Sequence, residues 1–135
     1  MTNPMPRRVL IVDDSPSVRK ALSSLLISGG FSVCGEAEDG AQAIEKAKQT
    51  RPDMIVLDFS MPVMDGIHAA LALKQIMPHA PLILFTALRS RALEIEALAA
   101  GIAAVVSKED PSALVSKAHE LVSKAETALA QEKGV

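Results

Sequence analysis

The sequence predicts an α/β protein built on a doubly wound parallel sheet of five strands with five helices. Short strand-like runs alternate regularly with longer segments of helical periodicity, which is the pattern of successive β-α-β units. Three of these runs, LIVD, MIVLD and LILF, are continuously apolar, as expected of central strands that helices cover on both faces. The length of 135 residues and the 49% hydrophobic composition suit a single domain covering residues 1–135.

The first strand and helix show how the elements are predicted. The run RVLIVD forms the strand, and Ser15 then caps a helix that Pro16 opens and Gly29-Gly30 ends. Apolar residues recur at helical spacing along one side of this helix: Val18, Leu22, Leu25 and Leu26. We therefore expect it to pack against the sheet through one face.

The remaining elements follow in chain order. The runs FSVCGEAE, MIVL, PLILFTA and IAAVVSK predict the second to fifth strands. The second, third and fourth helices are predicted at about 40–50, 67–76 and 90–100, and the fifth begins after Asp110-Pro111. The domain core then covers about residues 7–125, and the last helix extends to about residue 131.

Composition excludes several classes of function. The formal charge is -2, the pI is near 5.9, and the chain has no Trp or Tyr. It lacks the basic field and the stacking rings that nucleic-acid binding uses, so we expect no direct nucleic-acid partner.

The N-terminal apolar run at residues 9–12 is far shorter than the roughly 20 residues of a membrane span, which predicts a soluble, cytoplasmic protein without a membrane contact. The single cysteine, Cys34, is predicted to be a small buried core residue.

Polar residues stand where apolar strands end. Asp13 and Asp14 follow the first strand, Asp58 follows the third, and Thr86 and Lys108 lie at the ends of the fourth and fifth. Ligands of doubly wound sheets bind outside the carboxyl ends of the strands. These residues are therefore the candidates for a shared functional site.

The residue types at this edge point to phosphoryl chemistry. Three carboxylates at a partly desolvated edge raise one another's pKa values unless a cation joins them, and hard oxygen ligands suit Mg²⁺. Lys108 adds a charge that pairs with a carboxylate or a phosphoryl group, and Thr86 adds a hydroxyl donor. Each residue alone has an ordinary explanation, such as a helix cap, a strand residue or a surface charge. Together they are the parts of a phosphoryl-acceptor site.

Four stretches at these strand ends carry a family resemblance: VDDS, VLDFSMPVMDG, FTA and VSK. In this order, and over residues 8 to about 125, the chain resembles a receiver domain of bacterial two-component response regulators. The resemblance implies a flavodoxin-like fold with strand order 2-1-3-4-5. It further implies that Asp58 is the phospho-acceptor, Asp13 and Asp14 the acidic pair, Thr86 the switch hydroxyl and Lys108 the phosphate-pairing lysine.

The resemblance also implies a mechanism. The ionised Asp58 carboxylate attacks a phosphohistidine of a sensor histidine kinase or phosphotransfer protein, and no general base is needed. Mg²⁺ is held by Asp13, Asp14, Asp58 and the backbone carbonyl of Ser60. The phosphoryl group stays on the chain, so we expect a self-phosphorylating signalling protein and no turnover of an external substrate.

The chain departs from the family pattern at three positions. Val105 stands where many receivers have a Tyr or Phe that changes rotamer, so we expect the signal to travel through the backbone and helix four. Glu109 follows Lys108 where many receivers have Pro, and a trans bond is expected because a cis bond here costs ~2.5 to 4 kcal/mol. Leu88 lies beside the path of the hydrolytic water and cannot orient it.

The output of the domain leaves alternatives open. Helix four is more apolar than one buried stripe requires, so we hypothesise that helix four, strand five and helix five meet an unknown effector protein or form a homodimer. The leading hypothesis is a stand-alone receiver, and the second is an isolated receiver of a longer DNA-binding transcription regulator. A Mg²⁺-dependent aspartyl-phosphate phosphatase is disfavoured because Ser60 stands where that class needs a second acid, and an unphosphorylated scaffold is disfavoured because every site residue is present.

Overall fold

The computed structural model describes residues 5–88 and 90–134 and contains one five-stranded parallel sheet flanked by five helices. The strands are β1 (Arg8–Val12), β2 (Ser32–Ala37), β3 (Met54–Leu57), β4 (Leu82–Thr86) and β5 (Ala104–Ser107). The helices are α1 (Pro16–Ser28), α2 (Gly40–Thr50), α3 (Gly66–Ile76), α4 (Arg91–Ala99) and α5 (Pro111–Gly134). The strand order is β2-β1-β3-β4-β5, so the predicted fold class and order are confirmed.

Side chains of the central strands alternate between two apolar layers, because successive strand residues point to opposite faces. Leu10 and Ile55 face α2, α3 and α4, whereas Val9 and Val56 face α1 and α5. All of β3 is buried, as the continuously apolar run predicted. Burial on both faces fixes the strand register and with it the positions of the residues that follow each strand.

Side-chain caps start four of the helices. Ser15, Asp39, Asp65 and Ser90 each accept a hydrogen bond from a backbone N–H in the first turn of α1, α2, α3 and α4, respectively. The Ser15 cap is the one predicted for α1. Each cap satisfies a donor that the helix itself leaves free, so the helices begin at defined residues beside the carboxyl edge of the sheet.

Several predicted details differ from the structure. The helix predicted at 67–76 begins one residue earlier, at Gly66, because Asp65 is its cap, and the one predicted at 90–100 is Arg91–Ala99 because Ser90 is its cap. The last helix continues to Gly134 rather than ending at about 131. Cys34 is only partly buried because β2 is an edge strand of the sheet.

The long α5 helix packs against the sheet through only part of its length. Leu114, Ala118 and Val122 are buried against the α1 side of the sheet. Farther along, Glu126 pairs with Arg7, which lies just before β1. Among the described residues, no helix has the length and apolar content to cross a membrane.

Candidate functional site

Backbone hydrogen bonds extend the sheet one residue past the strands and so place the site residues. Asp13 N donates to Ala37 O at 3.0 Å, and Asp58 N donates to Val12 O at 3.0 Å. Lys108 N donates to Thr86 O, also at 3.0 Å. The residues after β1, β3 and β5 are therefore part of the ladder, and their side chains leave the same edge of the sheet.

Asp13, Asp58 and Thr86 are the buried polar or charged residues among those described, at 1%, 5% and 1% exposure. Lys108 reaches both acids: its Nζ lies 2.8 Å from Asp13 Oδ2 and 3.4 Å from Asp58 Oδ2. Buried charges require partners, so the lysine compensates part of the cost of holding two carboxylates at this edge.

The acidic pair is not symmetric. Asp13 is buried, whereas the side chain of its neighbour Asp14 is exposed. Carboxylate oxygens of Asp13, Asp14 and Asp58 nevertheless all lie within 4.8 Å of one another. The structure therefore brings together the three acids and the lysine that the sequence singled out.

The donor set fits a hard divalent cation. Oxygens that share one Mg²⁺ at ~2.1 Å lie about 3 to 4 Å apart, so the three carboxylates need only a small adjustment to reach it. Asp13 Oδ2 is buried, and its only polar contact within the described residues is the ion pair with Lys108 Nζ at 2.8 Å, although a carboxylate oxygen has two lone pairs. This oxygen is free to accept a further bond, as a metal ligand or a bound water would require.

Burial and neighbouring charge set the protonation behaviour of the central pair. Burial raises the pKa of Asp58, the nearby Lys108 charge opposes that rise, and Asp13 adds to it. Burial acts to lower the pKa of Lys108, but the hydrogen bond to Asp13 and the charges of both acids outweigh it and raise that pKa. Lys108 is thus held in its charged form beside Asp58, whose ionised form is disfavoured by burial.

A supporting set of contacts holds the acids, and sequence reasoning missed it. Ser15 N donates to Asp13 Oδ1 at 2.9 Å, and Phe59 N donates to Asp58 Oδ1 at 2.8 Å. Arg19 Nη1 donates to the Asp13 carbonyl at 2.8 Å, while its Nε pairs with Glu36 at 3.0 Å. The only signal for Arg19 in the sequence is its place one turn after the Ser15 cap, which puts it near the end of β1.

Gly66 lets α3 approach the phospho-acceptor candidate closely. A Cβ at this position would lie 2.4 Å from the Asp58 carbonyl oxygen, which no side chain could accommodate. Gly66 N also donates to Phe59 O at 2.9 Å. The segment after β3 is therefore held against the start of α3, and Asp58 has little freedom to move.

Thr86 and Ser60 occupy different surroundings. The Thr86 hydroxyl oxygen accepts a hydrogen bond from Leu88 N at 3.1 Å, which leaves its proton available to a ligand. Ser60 is exposed in the turn after Asp58, near Val63, whose φ of 71° is unusual for a β-branched residue. No described contact joins the Ser60 carbonyl to the three acids.

The three histidines lie outside the acidic cluster. His68 contacts Asp65 at the start of α3, and His119 lies against Gly29 and the ring of Phe31. His79 lies 3.9 Å from Glu132 of α5. The peptide bond between Lys108 and Glu109 is trans, as expected for a non-proline residue.

Comparison with known proteins identifies the family. The response regulator receiver domain family matches residues 9–119. The chain is 43% identical over 97 residues to the chemotaxis protein CheY of Bacillus subtilis, covering 72% of this chain and 81% of that protein. It is 38% identical over 120 residues to CheY of Thermotoga maritima, covering 89% of this chain and 100% of that protein.

A solved structure agrees with these sequence matches. The crystal structure of a CheX–CheY–BeF₃–Mg²⁺ complex from Borrelia burgdorferi contains a chain that matches this one with a TM-score of 0.83 and 31% identity. The match covers 87% of this chain and 90% of that one. The acids at the carboxyl edge, the strand order and these matches agree: the chain belongs to the response regulator receiver domain family and has a CheY-like fold with an acidic site typical of Mg²⁺-binding receivers.

Proposed function

We propose that Asp58 accepts a phosphoryl group from the phosphohistidine of a sensor histidine kinase or phosphotransfer protein, and that a protein partner reads the change. The observation that carries the proposal is the convergence of Asp13, Asp14, Asp58 and Lys108 at one edge of the sheet. The CheY relatives and the receiver family match support it. In this proposal residues 1–135 act as one receiver domain in the cytoplasm, where kinases load their histidines from ATP.

The transfer forms one bond and breaks another. An oxygen of the ionised Asp58 carboxylate bonds to phosphorus, the P–N bond breaks, and its electron pair returns to the donor imidazole. Phe59 N–H holds Asp58 Oδ1, and Gly66 holds the following segment, so the carboxylate is presented in a fixed direction. Lys108, 3.4 Å from Asp58 Oδ2, is placed to pair with the phosphoryl oxygens as negative charge moves onto them.

The acids of the site provide for a divalent cation. Asp13, Asp14, Asp58 and the Ser60 carbonyl are the proposed ligands of Mg²⁺, which when bound neutralises charge on the phosphoryl oxygens. The cation also removes the repulsion among the three carboxylates. Phosphorylation should therefore require both the metal and the acids.

Transmission of the signal requires more than the Thr86 hydroxyl. A hydrogen bond to a charged group is worth ~1.5 to 3 kcal/mol, whereas moving an equilibrium from 1:99 to 99:1 needs ~5.5 kcal/mol. Thr86 and Lys108 are joined through the backbone between β4 and β5, so both can respond to one phosphoryl group. We assign the response to these two residues together, since Val105 has no ring to move.

The proposed output surface lies on α4, β5 and α5. Ile95 and Leu98 of α4 are 60% and 65% exposed, although both are large apolar side chains. Exposed apolar residues at adjacent turns of one helix favour a protein partner, which is either an effector or a second copy of this chain. Ser90, the cap of the same helix, lies four residues after Thr86, which supports a link between this surface and the proposed switch.

The test is phosphorylation by a small phosphodonor such as phosphoramidate in the presence of Mg²⁺, followed by intact mass measurement. The wild type should gain one phosphoryl group, and EDTA should abolish the gain. Asp58→Asn should not react, whereas Asp53→Asn, at the other end of β3, should react like wild type. Equal modification of Asp58→Asn and wild type would refute the proposal.

A further inference from the structure

A cavity lies at the amino-terminal edge of the sheet, at the opposite end from Asp58. Its volume is about 280 Å³, just below the ~300 to 1,000 Å³ of drug-sized ligand sites, which suits a fragment-sized molecule. Pro52 and Ala80, which precede β3 and β4, form buried apolar walls, and Val122 and Leu129 of α5 close another side. The interior thus suits the apolar body of a small ligand.

Five ionisable side chains also line this cavity: Arg7, Arg51, Asp53, His79 and Glu126. Both carboxylates already have donors. Asp53 Oδ2 accepts the backbone N–H of Arg8 at 2.8 Å, and Glu126 pairs with Arg7 Nη2. The acids are therefore engaged by the protein itself.

The two arginines keep unused donors. Arg7 Nε is buried and has no hydrogen-bond acceptor within the described residues. The Arg51 side chain is exposed and makes no hydrogen bond or ion pair in residues 5–88 and 90–134. Only its backbone is engaged: its N–H donates to Ala47 O at 2.9 Å, and its carbonyl accepts from Arg8 Nη1 at 3.1 Å. The groups left to a ligand are consequently N–H donors of guanidinium groups, which prefer carboxylates.

We infer that this cavity binds a small organic carboxylate. Its apolar body lies between Pro52, Val122 and Leu129, and its carboxylate bonds to the exposed guanidinium of Arg51, with the positive charge of Arg7 at the same cavity wall. The site is separate from the phosphoryl-acceptor site, because the two lie at opposite edges of the sheet. Binding therefore does not depend on the function proposed for Asp58.

The experiment is a ¹H–¹⁵N NMR titration with phenylacetate as probe and phenylacetamide as its neutral match. Phenylacetate should give saturable shifts at residues 51–53 and 76–80 and at Glu126, with Kd on the order of 1 mM for a fragment of this size. Arg51→Gln should weaken phenylacetate binding about threefold to fivefold, the usual range for one partly exposed charge pair, without changing phenylacetamide. Arg91→Gln, on α4 outside the cavity, is the control and should bind like wild type.

Glu126→Gln provides a second variant that does not remove a proposed ligand group. It lowers the competition for Arg7, so phenylacetate should bind more tightly than in wild type. Wild-type amide shifts at residues outside the cavity show that each variant is folded. The inference is overturned if phenylacetate gives no saturable shifts up to about 50 mM, some fiftyfold above the expected Kd, if phenylacetamide binds equally well, or if Arg51→Gln and Arg91→Gln behave alike.

Discussion

Two aspartates stand at the two ends of β3, and their surroundings differ sharply. Asp53, just before Met54, is exposed, and its carboxylate accepts the backbone N–H of Arg8. Asp58, just after Leu57, is 5% exposed and lies beside two further acids and Lys108. The residue type and the strand are the same, so topology makes the difference: parallel strands bring the residues after β1, β3 and β5 to one edge.

Burying the charge of Asp58 lowers the stability of the folded protein. Burial raises the pKa of Asp58, and the neighbouring Asp13 charge raises it further. Asp53, in contrast, is exposed to water. Functional sites of this kind commonly lower the stability of the folded protein in favour of activity. The effect can be measured by comparing variants of Asp53 and Asp58, the residues at the two ends of β3.

Removing the lysine should have the largest effect on stability. Lys108→Met leaves Asp13 and Asp58 buried without their cation, and breaking such a pair costs about 2 to 4 kcal/mol of the free energy of unfolding. Lys48→Met, on the exposed side of α2, should change it by less than about 0.5 kcal/mol. Urea unfolding in EDTA measures both, and equal small effects would show that the lysine does not compensate the acids.

Removing an exposed acid should separate metal binding from folding. Asp14→Ala takes away one of the three carboxylates but disturbs no buried contact, so Mg²⁺ affinity should fall about tenfold or more while stability without metal changes little. Asp53→Ala should leave the affinity unchanged. NMR or calorimetric titration with Mg²⁺ gives the constants, and wild-type affinity in Asp14→Ala would remove it from the ligand set.

Neutralising the buried acid should stabilise the metal-free protein. Asp58→Asn removes a costly charge and should raise the free energy of unfolding at pH 7 by about 0.5 to 2 kcal/mol, whereas Asp53→Asn should not. The folded-state pKa of Asp58 lies above its ordinary value of 3.8, so folded protein holds this proton more tightly than unfolded chain does.

The pH dependence of that difference has a definite sign. The contribution of Asp58 to stability is present below its unfolded pKa and is lost as pH rises through the higher folded pKa. The advantage of Asp58→Asn over wild type should therefore be greatest near neutral pH and shrink as pH falls toward 3.8. Denaturant unfolding of both proteins in EDTA across this window tests it, and an advantage that grows on acidification would contradict the assignment.

The smallest effect on phosphorylation is expected at the hydroxyl of Thr86, the proposed switch residue. Thr86→Ala keeps the three acids and Lys108, so the rate at which Asp58 is phosphorylated should stay within about tenfold of wild type, or ~1.4 kcal/mol. The response of α4 and β5 should shrink instead. Amide shifts of residues 90–107 with and without beryllofluoride measure it. If the amide shifts in Thr86→Ala change as much as in wild type, the switch role belongs to Lys108 or the metal site instead of Thr86.

The fold and the site residues were accessible from the sequence because their signals are local. Apolar runs such as residues 54–57 indicated the buried strands, Ser15 indicated a helix start, and acids directly after such runs indicated the acidic edge of the sheet. The strand order came from the family resemblance rather than from residue patterns. The structure confirms both the predicted strands and their predicted order.

Other features depend on tertiary contacts that no local pattern records. Asp13 and Asp14 are equivalent in the sequence, yet only the first is buried, because its N–H joins β2. The contact of Arg19 with the Asp13 carbonyl joins α1 to the site and needs the packed structure to be seen. The length of α5 was underestimated because its last turn, in the sequence QEKG, is polar and offers no apolar periodicity.

Chemical trapping of the acyl phosphate is the most direct test that Asp58 is the carboxylate that accepts the phosphoryl group. After reaction with phosphoramidate and Mg²⁺, borohydride reduces an acyl phosphate to an alcohol and so marks the modified residue as homoserine, which peptide mass spectrometry locates. We expect homoserine at Asp58 and unmodified aspartate at Asp13, Asp14 and Asp53. Homoserine at any of those three, with Asp58 intact, would contradict it.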